Sequence, residues 1–189
     1  WEDVSKGIEY QNVRSITTNS TGVFAGTEFD GVLRTTDDGT SWKPVNTGLH
    51  HQRIGYVTKA GNYLYAFGTY YWPDDPSVFL QNGELFQSAD HGSTWRSISL
   101  PEKSTNVLVS GTTIFVVLSG TVYRSVDFGT TWTPASTGQL KPAVRNLVAF
   151  DSTLFAITQD SILHRSTDNG DHWTALPIGA PLYSSWSLG

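Results

Sequence analysis

TTDDGTSW, at residues 35–42, follows the pattern Ser/Thr-x-Asp-x-Gly-x-x-Trp, and this pattern occurs four times in the 189-residue chain. The other copies read SADHGSTW at 88–95, SVDFGTTW at 125–132 and STDNGDHW at 166–173. We refer to these four segments as boxes 1 to 4. Fixed positions that recur in this way identify an internal repeat, and an internal repeat determines how the rest of the sequence is interpreted.

The residues in front of the boxes repeat as well. The segment 13–25 is similar to 144–156, and Asp168 in box 4 follows Asp37 in box 1 at the same distance of 131 residues. The third repeat has nearly the same length, whereas the second carries an insertion at 70–82. The chain therefore contains four copies of one unit with a period of about forty residues.

Each repeat contains four short apolar segments separated by polar or glycine-bearing breaks. In the first repeat they lie at 13–18, 23–27, 32–36 and 42–45. Short strands at regular spacing are typical of the blades of a β-propeller, and the segments lack the apolar spacing of a helix. The predicted fold class is therefore all-β: a β-propeller of four-stranded antiparallel blades, with each box in the hairpin between the third and fourth strands.

The repeat boundaries predict a single propeller segment over residues 1–189. WEDV at 1–4 aligns with WKPV at 42–45, which predicts that the chain opens on the last strand of a preceding blade. A surplus strand at each end predicts a four-blade segment of a larger ring, whose remaining blades belong to the same protein or to another copy. The predicted divisions are 1–5 for that last strand, 11–46, 52–100 (with the insertion at 70–82), 104–136 and 143–178 for the blades, and 179–189 for the start of the next blade or a linker.

The chemistry of a tight hairpin explains the fixed residues of the box. An Asp carboxylate accepts hydrogen bonds from backbone N–H groups in such a turn, Gly tolerates a positive φ, and a buried Trp ring contributes about 2–3 kcal/mol. Metal binding or catalysis by the four aspartates is the alternative, and we favour turn stabilisation. The predicted structural residues are Asp37, Gly39, Trp42, Asp90, Gly92, Trp95, Asp127, Gly129, Trp132, Asp168, Gly170 and Trp173.

These residues resemble the Asp-box, or BNR, repeat of sialidases, sortilin-type receptors, xyloglucan-cleaving glycosidases and photosystem-II-assembly-factor-like proteins. The regular spacing is most similar to that of bacterial secreted repeat proteins. The resemblance implies a propeller in which the box is structural and lies away from the ligand. It does not carry over a function, because one fold hosts many functions, and the Arg-Ile-Pro signature of sialidases is absent from the sequence.

Three arginines are candidates for lining the central channel, where the first strand of each blade lies in a propeller. Arg14 and Arg145 occupy equivalent positions in the first and fourth repeats, and Arg53 lies close to the matching position in the second. Together they would form a small positive cluster. The alternative, which we favour, is that each arginine pairs with a nearby carboxylate.

The insertion at 70–82 contains the candidate ligand-binding residues, since loops on a rigid scaffold are frequent binding sites. Aromatic rings beside carboxylates suit a carbohydrate, whose C–H faces stack on the rings, and they also suit a protein anchor. The alternative is a loop folded back on its own apolar residues. The candidates are Tyr70, Tyr71, Trp72, Asp74 and Asp75.

Composition argues against several classes of function. A net charge of -5 without a Lys/Arg run disfavours nucleic acid as a partner, the absence of Cys excludes disulfides and thiolate metal sites, and no apolar run is long enough to span a membrane. Neither a phosphate loop nor a nucleophile elbow occurs. The five histidines lack metal spacing, and His50 and His51 are expected in a solvated loop. We therefore predict no catalytic residue, no metal and no cofactor.

The sequence favours a non-catalytic binding or scaffold propeller of a secreted or cell-surface bacterial protein. The expected location is extracellular, at the cell surface or periplasmic. The expected partner is a protein or a carbohydrate. Two alternatives remain open: a fragment of an Asp-box glycoside hydrolase of the sialidase or xyloglucanase type, and a photosystem-II-assembly-factor-like protein.

Overall fold

The computed structural model describes residues 6–8, 12–68, 83–102, 104–135 and 140–177. The strands in these ranges form four sheets of four strands each. The first sheet contains β1 (Val13–Asn19), β2 (Gly22–Thr27), β3 (Val32–Thr35) and β4 (Lys43–Pro44). The second contains β5 (Ile54–Ala60), β6 (Tyr63–Gly68), β7 (Glu84–Ser88) and β8 (Arg96–Ile98). The third contains β9 (Ser104–Ser110), β10 (Thr113–Leu118), β11 (Thr121–Ser125) and β12 (Thr133–Pro134). The fourth contains β13 (Val144–Phe150), β14 (Thr153–Thr158), β15 (Leu163–Ser166) and β16 (Thr174–Ala175).

Each sheet is an antiparallel meander in which the order of hydrogen-bonded strands follows the chain. Because consecutive strands pair, each sheet is built from one sequence repeat, and its box connects the third strand to the fourth. The prediction of an all-β fold made of four-stranded antiparallel blades is confirmed. We call the four sheets blades 1 to 4, in chain order.

Every first strand contains one β-bulge near its start. In β1 the pairing passes from Val13–Thr27 directly to Ser15–Gly26, so Arg14 is an extra residue in the ladder. The extra residues of β5, β9 and β13 are Gly55, Thr105 and Arg145. A bulge bends its strand and redirects a side chain. The four positions therefore share one backbone distortion even though their side chains differ.

The hydrophobic core lies between neighbouring blades. Blades pack in series through their first strands, β1 against β5, β5 against β9 and β9 against β13. The second strand of the preceding blade supplies at least one fully buried aromatic ring to each of these three interfaces. The rings are Phe24, Tyr65 and Phe115, each no more than 1% exposed. Because burying a large apolar side chain contributes about 1.5–3 kcal/mol, each blade depends on its neighbour for much of its stability.

Two box tryptophans also form hydrogen bonds to the preceding blade. Trp95 Nε1 donates to the carbonyl oxygen of Val45 at 2.7 Å, and Trp173 Nε1 donates to that of Ala135 at 3.0 Å. Trp132 occupies the same position in box 3, yet its Nε1 is buried with no partner among the described residues. A hydrogen bond from a box indole to the preceding blade is therefore formed between blades 1 and 2 and between blades 3 and 4, whereas Trp132, between blades 2 and 3, does not form one with the described residues.

A second polar contact joins the third strand of one blade to the box of the next. Gln87 in β7 donates to the carbonyl oxygen of Phe128 at 2.8 Å, and Arg124 in β11 donates to that of Asn169 at 2.7 Å. Phe128 and Asn169 hold the same position in their boxes, directly before the glycine, and each has a φ of 59°. The box hairpin thus supplies an acceptor to the neighbouring blade.

Candidate functional site

Box 3 illustrates the hydrogen bonds that hold each hairpin. Ser125 Oγ donates to Asp127 Oδ1 at 2.7 Å and accepts the N–H of Gly129 at 2.8 Å. Thr131 donates its N–H to Asp127 Oδ1 at 2.8 Å and its hydroxyl to Oδ2 at 2.6 Å. Both carboxylate oxygens of Asp127 therefore accept donors from their own hairpin.

The same network recurs in the other three boxes. The hydroxyl that reaches the far carboxylate oxygen comes from Ser41 in box 1 and from Thr94 in box 2. In box 4 an imidazole replaces it, with His172 Nδ1 lying 2.7 Å from Asp168 Oδ2. One hairpin of the four is thus closed by a titratable side chain instead of a hydroxyl.

These donors lower the pKa of the box carboxyl groups. Hydroxyl groups of the same hairpin hold the pKa of Asp37 and that of Asp127 at about 2. The backbone N–H of His172 is the largest cause of the lowered pKa of Asp168. Burial acts to raise the pKa of Asp90, but hydrogen bonds outweigh this effect and lower it. Because a general acid needs a raised pKa, these carboxylates suit an acceptor in a turn.

The structure brings two of the three candidate arginines together on Glu28. Arg14 Nη2 lies 2.6 Å from Glu28 Oε2, and Arg53 Nη2 lies 3.5 Å from Glu28 Oε1. Asn12 donates a further hydrogen bond to this carboxylate at 2.7 Å. The bond from Arg14 is the largest cause of the lowered pKa of Glu28, and burial opposes it. Two arginines thus face one carboxylate at the start of the first strands.

Arg145 lies apart from this group. It is exposed at the bulge of β13, and the fourth repeat has Gln159 where the first has Glu28. No ion pair of Arg145 occurs among the described residues. Sequence reasoning did not include Glu28, although its position directly after β2, facing the start of β1, is the signal that would have revealed it.

The expectation that His50 and His51 lie in a solvated loop is wrong for His51. Its side chain is 4% exposed, and its Nε2 lies 2.8 Å from Glu84 Oε2. The other oxygen of Glu84 accepts the hydroxyl of Ser97 at 2.6 Å. Burial acts to raise the pKa of Glu84, but these donors outweigh it and lower the pKa. Because the carboxylate lies between imidazole and hydroxyl, this group lacks the Ser–His contact of nucleophilic catalysis.

The proposed ligand-binding residues of the insertion, Tyr70, Tyr71, Trp72, Asp74 and Asp75, lie outside the described residues. The two strands that flank the insertion are described. Gly68 ends β6, Glu84 begins β7, and Gly68 pairs with both Glu84 and Ile54. The two strand ends that flank the insertion therefore lie at the edge of blade 2 where first strands begin, and this edge also carries Arg14 and Glu28. The boxes lie at the opposite edge.

A polar cleft of about 560 Å³ separates blades 3 and 4 at the box edge. Its lining includes Thr112, Asp151 and Asn169. Between blades 2 and 3, Phe128 holds the position of Asn169 and packs against Tyr63, with ring centroids 4.8 Å apart. The cleft therefore occurs where an amide replaces an aromatic ring. Among the described residues, no group of three or more His, Asp or Glu side chains is arranged to hold a metal ion.

Comparison with solved structures supports the fold. YCF48 from Cyanidioschyzon merolae is 16% identical, with a TM-score of 0.63, over 90% of this chain and 57% of that one. The structure titled "YCF48 bound to D1 peptide" is 17% identical, with a TM-score of 0.63, over 90% and 56%. The GH74 xyloglucanase from Xanthomonas campestris is 16% identical, with a TM-score of 0.65, over 95% and 32%. The chain thus spans little more than half the length of the YCF48 chains, and identities this low establish the fold alone.

The family comparison covers the second half of the molecule. No curated protein matches the chain. Within the described ranges, no helix has the length and apolar character needed to cross a bilayer. Residues 84–182, more than half of the sequence, match the model of the DUF6242 beta propeller domain. On this match and on the four blades described above, the chain belongs to the DUF6242 beta propeller domain family.

Proposed function

We propose that the chain is a non-catalytic binding or scaffold module of a secreted or cell-surface protein and that its partner is a protein. The observation that carries this proposal is the direction in which the pKa values of the carboxyl groups are shifted. In the described part of the chain, every carboxyl group with a shifted pKa has it lowered, and each of them accepts hydrogen bonds. None of these groups is therefore held in the protonated form that a general acid needs at neutral pH.

The edge that carries the first-strand bulges is the proposed binding surface. Arg145 offers an exposed guanidinium there without a carboxylate partner among the described residues. Gly68 and Glu84, the described residues that flank the segment with Trp72, lie at the same edge. An exposed arginine and a tryptophan are the side chains most often found at the energetic centre of protein interfaces. This combination favours a peptide or protein segment with acidic residues.

A propeller of the same fold supports a polypeptide partner, since YCF48 has been solved bound to D1 peptide. The likeness to that protein concerns the fold, so the identity of the partner does not transfer. The acidic partner proposed here rests on the exposed arginine of this chain.

Binding to matched arrays tests the proposal. The purified chain is applied to an array of acidic and neutral peptides and, in parallel, to a glycan array. We expect binding to acidic peptides, weakened about 10- to 100-fold by Arg145→Ala, because a charge-assisted hydrogen bond contributes about 1.5–3 kcal/mol. Arg165→Ala is the control, since it removes the same exposed charge from β15 of the same blade.

The aromatic and acidic composition of the insertion favours a carbohydrate as the second candidate. Tyr70, Tyr71 and Trp72 beside Asp74 and Asp75 have the composition of a sugar platform. Binding to glycans that Trp72→Ala abolishes, without peptide binding, would replace the protein partner by a carbohydrate. Turnover of xyloglucan or of a sialoside by the chain would refute the non-catalytic part of the proposal.

A further inference from the structure

Blade 1 places two positively charged side chains directly opposite each other. Arg34 in β3 pairs with Lys43 in β4, so the two side chains lie on the same face of the sheet, where like charges are destabilising. The other blades avoid this arrangement at the same register position. The arginines of β11 and β15 lie opposite threonine, and the arginine of β8 lies opposite Gln87. Among the four blades, the pair of cations is therefore specific to blade 1.

Neither Arg34 nor Lys43 forms an ion pair within the ranges that the structure describes. Arg34 Nη2 donates to the carbonyl oxygen of Thr21 at 2.7 Å, and Arg34 Nε is buried without a partner among the described residues. The guanidinium carbon lies 5.5 Å from the centroid of the Phe24 ring, which is fully buried. The guanidinium is therefore held in position while part of its hydrogen-bonding capacity is unused.

The interface between blades 3 and 4 shows what an arginine at this position binds. Arg124 is the counterpart of Arg34 in β11, and its Nη2 lies 2.6 Å from Oδ1 of Asp171 in box 4. Arg34 lies toward box 2 in a similar way, since the Phe24 ring beneath its guanidinium also packs against the glycine of that box. Box 2, however, has Ser93 at the position of Asp171. The interface between blades 1 and 2 therefore has the arginine but lacks the anion.

Space for an anion is present beside the two cations. A cavity of about 210 Å³ is lined by Arg34 and Lys43 and by the hydroxyl-bearing residues Thr36 and Ser41. This volume is several times the roughly 30 Å³ that a water molecule takes up in the liquid. Asp37 also lines the cavity, but both of its carboxylate oxygens accept hydrogen bonds from their own hairpin. The cavity therefore has room for an anion next to two cations that no carboxylate neutralises by direct contact.

We propose that Arg34 and Lys43 bind an oxyanion in this cavity, a phosphate or sulfate group, which takes the place of the carboxylate that box 4 supplies to blade 3. A guanidinium fork and an ammonium group both form strong charge-assisted hydrogen bonds to such oxygens. The bound anion also relieves the repulsion between the two cations, so binding stabilises the fold. The same chemistry is offered by a free ion and by the ester group of a larger molecule.

Titration with inorganic phosphate tests the proposal. At constant ionic strength, calorimetry should detect phosphate binding to the wild-type chain, and the Tm should rise with phosphate concentration. Lys43→Thr gives blade 1 the arginine–threonine pair of blades 3 and 4. It should weaken phosphate binding at least about tenfold, because it removes a charge-assisted hydrogen bond. Lys59→Thr is the control, since it removes an exposed lysine from β5 and should leave phosphate binding unchanged.

A carboxylate supplied by the protein should replace the anion. Ser93→Asp gives box 2 the aspartate that box 4 has, so it should raise the Tm in the absence of phosphate and abolish the rise that phosphate causes. Thr130→Asp makes the same change at the equivalent exposed position of box 3. The blade before box 3 has Gln87 in place of the arginine, so Thr130→Asp should have neither effect. Circular dichroism should show the same strand content in all variants.

Glycerol phosphate distinguishes the two sources of the group. Binding tighter than that of inorganic phosphate assigns the cavity to the ester group of a larger molecule, and equal or weaker binding assigns it to the free ion. A wild-type chain that does not bind phosphate, equal binding by the wild-type and Lys43→Thr chains, or a phosphate response that Ser93→Asp leaves intact would overturn the proposal. None of these readouts involves a peptide or Arg145, so this inference and the proposed function can fail separately.

Discussion

Replacing Trp95 by Phe should destabilise the protein by about 1–2 kcal/mol more than the same replacement at Trp132. The two indoles occupy the same box position, and both pack in a core between blades. Trp95 Nε1 donates to the carbonyl oxygen of Val45 at 2.7 Å, whereas Trp132 Nε1 is buried without a partner in the described part of the chain. The replacement therefore breaks a bond in one case and removes an unsatisfied donor in the other.

The magnitude follows from what each replacement leaves behind. Both replacements remove the same part of the indole, and Trp132 is only partly buried whereas Trp95 is 5% exposed, so the packing loss at Trp132 does not exceed that at Trp95. Trp95→Phe additionally leaves the partly buried carbonyl of Val45 without its donor, and an unsatisfied buried acceptor costs about 1–3 kcal/mol. Trp132→Phe has no such cost. Trp173→Phe should follow Trp95→Phe, since its indole donates to Ala135 and Gly170.

Equilibrium unfolding in urea, followed by far-ultraviolet circular dichroism, measures the difference without relying on the fluorescence of the residues being changed. In a chain of this size the difference corresponds to a shift in Tm of about 2–8 °C. Equal losses for Trp95→Phe and Trp132→Phe, or a larger loss for Trp132→Phe, would refute the assignment of stability to the indole bonds between blades.

The remaining predictions concern the carboxylates and the glycines. The folded pKa of the box carboxyl groups is below their unfolded value. Their contribution to stability is therefore present at neutral pH and is lost as the pH falls from about 4 to about 2. Thermal unfolding at a series of pH values should show this loss of stability, and the loss should be smaller in the Asp127→Asn variant. Gly48→Ala should lower the free energy of unfolding by about 2–5 kcal/mol, since φ is +89° and the new Cβ would lie 2.0 Å from the Trp95 carbonyl oxygen. Gly111→Ala, with φ of +61° and open space around it, should lower it by only about 1–2 kcal/mol. Urea unfolding measures both values. Glu28→Gln should lower the Tm, because it leaves two arginines without their carboxylate, and added sulfate should restore part of the lost Tm. Glu102→Gln is the control: it changes an exposed glutamate and should neither lower the Tm nor respond to sulfate more than the wild-type chain does.

The blades could be predicted from the sequence because the box fixes one hairpin by local chemistry. Each box joins the third strand to the fourth, and the residues before it leave room for only two more strands, so the number and order of the strands in a repeat follow. The bulges could not be predicted in the same way. Arg14, Gly55, Thr105 and Arg145 share no side-chain property, because the distortion lies in the pairing of two backbones.

The candidate site was less accessible to sequence reasoning, because its contacts join distant segments. Glu28 is reached by Arg53 from the next blade, and His51 is buried by its contact with Glu84. No local spacing marks either pair. Arg14, Arg53 and Arg145 were identified by aligning repeats, but alignment could not tell which of them meets a carboxylate. The loop with Trp72 stays a prediction.

The meander of each blade has a consequence for how the chain acquires its structure. Within the described ranges, every hydrogen-bonded strand pair joins neighbours in sequence, and the extensive packing between strands links only consecutive blades. The contact order is therefore low for an all-β protein, and low contact order speeds folding. A ribosome releases the chain from its N-terminus, so blade 1 is complete before blade 2 has been synthesised. Each finished blade then presents the surface on which the next one condenses, and folding propagates along the chain as in other repeat proteins.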